Sequence, residues 1–161
     1  MNKIAGLHDL VKDTVSRKFT GIVVGLVDWR NGCRRLMVQP EGVDENKKAM
    51  PEESFDDEQI EVIKAANPTI PLGAPKFSMR DIVKDKITRL EGSITGIAYY
   101  PGGIVRYIVK IEGVDPKTHK TYPEDTLDAQ QLTLVKAAKV EPVSRHGGPH
   151  SDVPYYKPVT Y

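Results

Sequence analysis

His146-Gly147-Gly148-Pro149-His150 sets two imidazoles four residues apart, close enough to share a metal ion. Two nitrogen ligands fall short of the set a closed tetrahedral site needs. His8 and His119 have no partner at useful spacing, so no metal and no cofactor is expected. Cys33, the only thiol, follows Gly32 and reads as a small apolar filler, since a second copy of the same pattern carries Ile104 in its place. Glu52-Glu53 and Asp56-Asp57-Glu58 form an acidic run of the kind found on a solvated loop face. No glycine loop is followed by Lys-Ser or Lys-Thr, so a phosphate cradle is not expected either. With no nucleophile, base and orienting group at convergent spacing, the chain is expected not to be an enzyme.

The residues that invite a ligand interleave aromatic rings with guanidinium groups. They are Trp29, Arg30, Arg34 and Arg35 in one stretch, and Tyr99, Tyr100, Arg106 and Tyr107 in another. Arg beside Trp or Tyr anchors protein interfaces, and the same chemistry stacks bases while meeting phosphates. A third set, Tyr155, Tyr156 and Tyr161, lies among Pro142, Pro149, Pro154 and Pro158 and suits an arm that docks on a neighbour.

The two Arg and aromatic stretches occupy equivalent places in an internal repeat. Leu10-Val11-Lys12-Asp13 matches Ile82-Val83-Lys84-Asp85, Gly21 and Gly25 match Gly92 and Gly96, and Glu41-Gly42-Val43-Asp44 recurs unchanged as Glu112-Gly113-Val114-Asp115. Asp56 to Lys64 runs parallel to Asp128 to Lys136. Within each copy, a β-branched run from Thr20 or Ser93 is followed by a turn, Asn31-Gly32 or Pro101-Gly102-Gly103, and a second run from Arg34 or Val105. Asn-Gly supplies the two positive φ values of a tight hairpin, so antiparallel pairs are predicted. An earlier strand starts at Leu10 and at Ile82. Asp56 with Gln59, and Asp128 with Gln131, have capping-box spacing ahead of period-two runs, which predicts one helical turn leading into a short strand. Gly21, Gly25, Gly92 and Gly96 fall inside strand patterns and mark bulges, bends or close backbone approach.

A unit of this size with about five short strands buries a core by curling into a small barrel. The expected organisation is mainly β: copy 1 over 1–64, a Pro-rich semi-rigid linker over 65–79, copy 2 over 80–139, and an extended C-terminal arm over 140–161. The 161 residues carry 23 Lys and Arg against 22 Asp and Glu, so there is no bulk positive field to hold duplex nucleic acid. Residues 1–64 hold 10 basic against 12 acidic side chains and the remainder 13 against 10, which leaves only the second half suited to carry an anion site alone. The start of the chain lacks an apolar leader, no run is long enough to span a bilayer, and a lone thiol fits a reducing compartment, so neither export nor a membrane is expected.

The pattern Val-Lys-Asp-Lys-Ile-Thr, Gly-Ser-Ile-Thr-Gly, Tyr-Tyr-Pro-Gly-Gly and Arg-Tyr, from Val83 to Val109, resembles small uncharacterised proteins of tailed bacteriophages and, more distantly, SH3-like barrels of the KOW and tudor type. The resemblance implies two tandem SH3-like barrels and, in a phage setting, a virion accessory or a binder of a host factor, in the virion or the host cytoplasm. Copy 1 departs from it where Leu36 stands for Tyr107 and Trp29 for Tyr100. Two functions remain open: a non-enzymatic interaction protein that binds a protein partner or itself, and a binder of nucleic acid or a signalling nucleotide.

Overall fold

The structure, a computed structural model, describes residues 4–16 and 19–139. Each repeat contributes five antiparallel strands: β1 (Leu10–Asp13), β2 (Thr20–Trp29), β3 (Arg34–Pro40), β4 (Glu53–Asp56) and β5 (Ile60–Lys64), then β6 (Ile82–Asp85), β7 (Glu91–Tyr100), β8 (Ile104–Ile111), β9 (Glu124–Asp128) and β10 (Leu132–Lys136). In each copy the strand order is last, first, second, third, fourth, because β5 returns to pair with β1 and β10 with β6. A 3-10 turn precedes each last strand, at Asp57–Gln59 and Ala129–Gln131, as the overlap of cap spacing and period-two pattern predicts. The cap itself survives only in part. The Asp56 N–H donates to Gln59 Oε1 at 3.1 Å, whereas Gln131 donates its amide to Asp85 Oδ1 at 3.1 Å.

The glycines fall where the strands break register. β2 shifts against β3 between Val23 and Gly25, and β7 against β8 between Ile94 and Gly96. The first hairpin departs from expectation in its turn: only Gly32 takes a positive φ, 87°, and the Trp29 N–H donates to Cys33 O at 2.9 Å across a three-residue loop. Asn31 instead caps the loop by accepting the Cys33 N–H on its side chain at 3.1 Å. Cys33 is exposed on that hairpin, so it fills no core.

The two copies form one continuous sheet. The far half of β2 pairs antiparallel with the far half of β7: Leu26 opposite Tyr99, Val27 opposite Ala98, Asp28 opposite Ile97 and Trp29 opposite Gly96. Val27 and Ala98 hold equivalent places in the repeat, so a pseudo-twofold axis passes between them. In a lone copy this half-strand would be an open edge with unpaired backbone groups. Here each copy closes the other's edge. Pro101 marks a break in the symmetry: Arg30, its counterpart, donates its N–H to Thr95 O at 2.8 Å, and proline has no N–H to return the bond.

One large core runs beneath both copies, with Leu26, Leu36, Val38, Tyr99, Tyr107 and Val109 almost wholly buried. The segment 65–79 carries no strand but is not a free spacer. Ile70, Leu72 and Phe77 pack on this core, and the Tyr107 hydroxyl accepts the N–H groups of Lys76 at 2.7 Å and Phe77 at 3.3 Å. Among the described residues no helix is long and apolar enough to cross a membrane.

Candidate binding face across the seam

Strand register decides which of the sequence-predicted ligand residues share a face. Arg35 stands opposite Asp56 and Val27, Val27 opposite Ala98, Ala98 opposite Arg106, and Arg106 opposite Asp128. Directly opposed residues point to the same side of a sheet. Six strands therefore carry a single palindromic row, Asp56-Arg35-Val27-Ala98-Arg106-Asp128, centred on the pseudo-twofold axis. At about 4.8 Å per strand, the Cα atoms of Arg35 and Arg106 lie about 14 Å apart.

Rings and aliphatic side chains flank the row. Val27, Ala98 and Ile108 form a second, smaller apolar cluster with Trp29, Met37 and Tyr100 packed on it, on the opposite side of the sheet from the main core. These six are three equivalent pairs, 27 with 98, 29 with 100 and 37 with 108. Trp29 lies against Gly96 and Tyr100 against Gly25: a Cβ at Gly96 would sit 3.1 Å from the Trp29 ring, and one at Gly25 3.3 Å from the Tyr100 ring. The glycine in each copy thus makes room for the aromatic of the other.

The guanidinium groups are held. Arg35 Nε reaches Asp56 Oδ1 and Arg106 Nε reaches Asp128 Oδ1, each at 3.0 Å, with Arg106 also donating to Thr126 O at 3.3 Å. The side chains of Arg35 and Arg106 stay 51% and 40% exposed, so both still meet solvent. Arg30 is exposed at the hairpin tip.

Three predicted residues leave this face. Tyr99 and Tyr107 are 0% exposed: alternation after the β7 bulge turns Tyr99 into the main core, and plain alternation along β8 puts Tyr107 there with Val105, Val109 and Ile111, so neither offers a ring to a ligand. Arg34 points away from the row and pairs in bidentate fashion with Asp28 at 2.6 and 2.8 Å. Tyr155, Tyr156, Tyr161, His146 and His150 lie outside the described residues. Among the described residues no three His, Cys, Asp or Glu side chains gather as metal ligands.

Among the described residues, four buried carboxylates went unsingled by the sequence reading, and all four are occupied by the chain itself. Asp9 accepts the N–H groups of Gly6 at 2.9 Å and Ala66 at 2.7 Å; Asp81, its counterpart, accepts those of Ser78 at 2.9 Å and Ala138 at 2.8 Å. Each ties the start of a copy to the chain leaving its last strand. Asp13 accepts the Ser16 hydroxyl and the Val15 N–H, and these bonds hold its carboxyl below the usual range despite burial. Burial pushes Asp85 up, but bonds from the Ile87 N–H, the Thr88 hydroxyl and the Gln131 amide together outweigh it and hold the carboxyl low. Their signal in the sequence was repetition: an acid at the same place in both copies, one just before and one at the end of a short strand. No family model, curated protein or solved structure matches the chain.

Proposed function

We propose that this chain is a non-enzymatic binding protein: two SH3-like barrels in tandem, fused through one sheet, that present a composite face to a protein partner. The strand order within each copy, with the fifth strand returning to the first after a 3-10 turn, supports the SH3-like reading. The observation that carries the function is the row Asp56-Arg35-Val27-Ala98-Arg106-Asp128, flanked by Trp29, Tyr100, Met37 and Ile108. An apolar centre with an Arg and aromatic surround and a polar rim is the make-up of a protein interface. The row holds as many carboxylates as guanidinium groups, and that balance favours a polypeptide over a polyphosphate or a nucleic acid. If the chain shares the setting of the phage proteins it resembles, such a binder serves as a virion accessory or captures a host factor, with the arm over 140–161 as an added hold on the partner.

The test compares the full chain with Arg35→Glu/Arg106→Glu, both verified as folded by circular dichroism, as baits. A polypeptide retained by the first and lost by the second carries the proposal. The same set of proteins on both baits defeats it. A nucleotide or short oligonucleotide that raises the melting temperature of the native chain but not of Arg106→Ala hands the function to the second reading.

A further inference from the structure

Among the described residues, four strands in this sheet have a neighbour on one side only: β4, β5, β9 and β10. An open edge is a template for another strand, and proteins commonly blunt it with charge. β4 carries Glu53 and Asp56, β9 carries Glu124, Asp125 and Asp128, and β5 carries Glu61. β10 differs. Its first four residues, Leu132-Thr133-Leu134-Val135, bear no charge, and Leu134 and Val135 are 46% and 48% exposed. Copy 1 has Glu61 where copy 2 has Thr133.

The backbone of β10 is also oriented for pairing. The Lys86 N–H donates to Gln131 O, and the register runs Leu132 opposite Asp85, Thr133 opposite Lys84 and Leu134 opposite Val83, before a bulge at Val135 sets Lys136 opposite Ile82. Hydrogen-bonded and non-bonded pairs alternate along an antiparallel ladder. Thr133 therefore bonds toward β6, and the N–H and C=O groups of Leu132 and Leu134 point outward.

We infer that β10 is a self-association edge, on which the β10 strand of a second copy of this chain adds antiparallel about a twofold axis at Leu134. The second copy fits because this register opposes no like charges. Leu134 faces its own twin, and Thr133 faces the bulged Val135-Lys136 step, where the one charge is that of Lys136. The same operation on β9 would set Glu124 against Asp128, and on β4 Glu53 against Asp56, which like-charge repulsion disfavours. On β5 it would strip water from Glu61. The interaction is independent of the seam face and stands or falls apart from it.

Sedimentation velocity on the full chain over a concentration series reads the association. The expected result is a monomer–dimer equilibrium whose association constant falls by about tenfold or more in Leu134→Lys, since an apolar contact on the axis becomes two facing ammonium groups. Ile63→Lys, an exposed position on the edge strand β5 of copy 1, leaves it unchanged. In a Cys33→Ser background, Leu134→Cys places two thiols on Cα atoms about 5.5 Å apart, within disulfide reach, so mild oxidation yields a covalent dimer. A chain that stays monomeric throughout the series overturns the inference. So does a dimer that survives Leu134→Lys and gives no Leu134→Cys cross-link, a result that would transfer the association to the arm or the seam. The bait comparison of Arg35→Glu/Arg106→Glu reports on the seam face whatever β10 does.

Discussion

Asp81→Ala removes the acceptor that joins both ends of the second copy, and the structure sets the size of the loss. Oδ2 accepts the Ser78 N–H at 2.9 Å and Oδ1 the Ala138 N–H at 2.8 Å. A hydrogen bond to a charged group contributes about 1.5–3 kcal/mol, and an orphaned buried donor adds its desolvation cost. Both amides are only part-buried, so water recovers some of the loss. A decrease of about 2–4 kcal/mol in unfolding free energy is expected at neutral pH, read as a lower urea midpoint with an unchanged slope. Asp81→Asn keeps one acceptor but turns an N–H donor toward the other amide, so it restores only part of the difference. Asp9→Ala, which orphans Gly6 and Ala66, behaves alike. Amide exchange adds a local readout, because Ala138 loses protection in Asp81→Ala and Ala66 in Asp9→Ala. A change below about 0.5 kcal/mol, the scatter of ordinary surface substitutions, would refute the reasoning and place these carboxylates among dispensable groups.

Asp85 contributes to the acid limb of stability, as Asp13 does. Its folded carboxyl is held below the ordinary value of about 3.9, so its contribution is present above that value and is lost as pH falls through the lower folded one; Asp85→Asn is therefore less stable at neutral pH and shows a shallower decline under acid, measured by urea midpoints between neutral pH and strong acid. Gly96→Val drives carbon into the space where a Cβ would already lie 2.8 Å from Ile108 Cδ1 and 3.1 Å from the Trp29 ring; overpacking of this kind costs about 1–3 kcal/mol, and a red shift in the emission of Trp29, the only tryptophan, localises it to the seam. Tyr107→Phe deletes the hydroxyl that receives Lys76 and Phe77, costs about 1–2 kcal/mol, and speeds limited proteolysis within 65–79.

Much of the architecture was legible because it is local. The β-branched runs, the turn glycines and the doubled Glu-Gly-Val-Asp each report on a few adjacent residues, and the strands appear where those signals fall. The seam was not legible in the same way. It joins residues 26–29 to 96–99, and nothing local to either stretch names its partner. The face of Tyr99 was lost for a related reason. A bulge at Val24-Gly25 or Thr95-Gly96 inverts the alternation, so counting by twos along β7 misassigns Tyr99, whereas on the unbulged β8 Tyr107 follows Val105, Val109 and Ile111 into the core. The signal that would have helped was Gly25 and Gly96 themselves, glycines within strands with no turn to make, which implies that something bulky approaches from outside the copy.

The two copies also differ where the seam meets the linker, and the difference explains why 65–79 lies where it does. In copy 1, Asp28 and Arg34 stand opposite each other and satisfy their charges as a bidentate pair that tolerates water. The same positions in copy 2 are Tyr99 and Val105, an apolar pair that water would penalise. The linker reaches that pair at Val105: Ile70 and Leu72 pack on the same core, and Gly73 lies against Gly103 and Val105 so closely that a Cβ there would sit 2.3 Å from Gly103 O. A connector spent as the lid of one copy cannot act as a hinge between two. With the shared ladder of β2 and β7, it fixes the copies as one body, so the partner proposed for this face would meet Arg35 and Arg106 at a set spacing. A substitution at either arginine then weakens the same binding event, instead of silencing one of two independent sites.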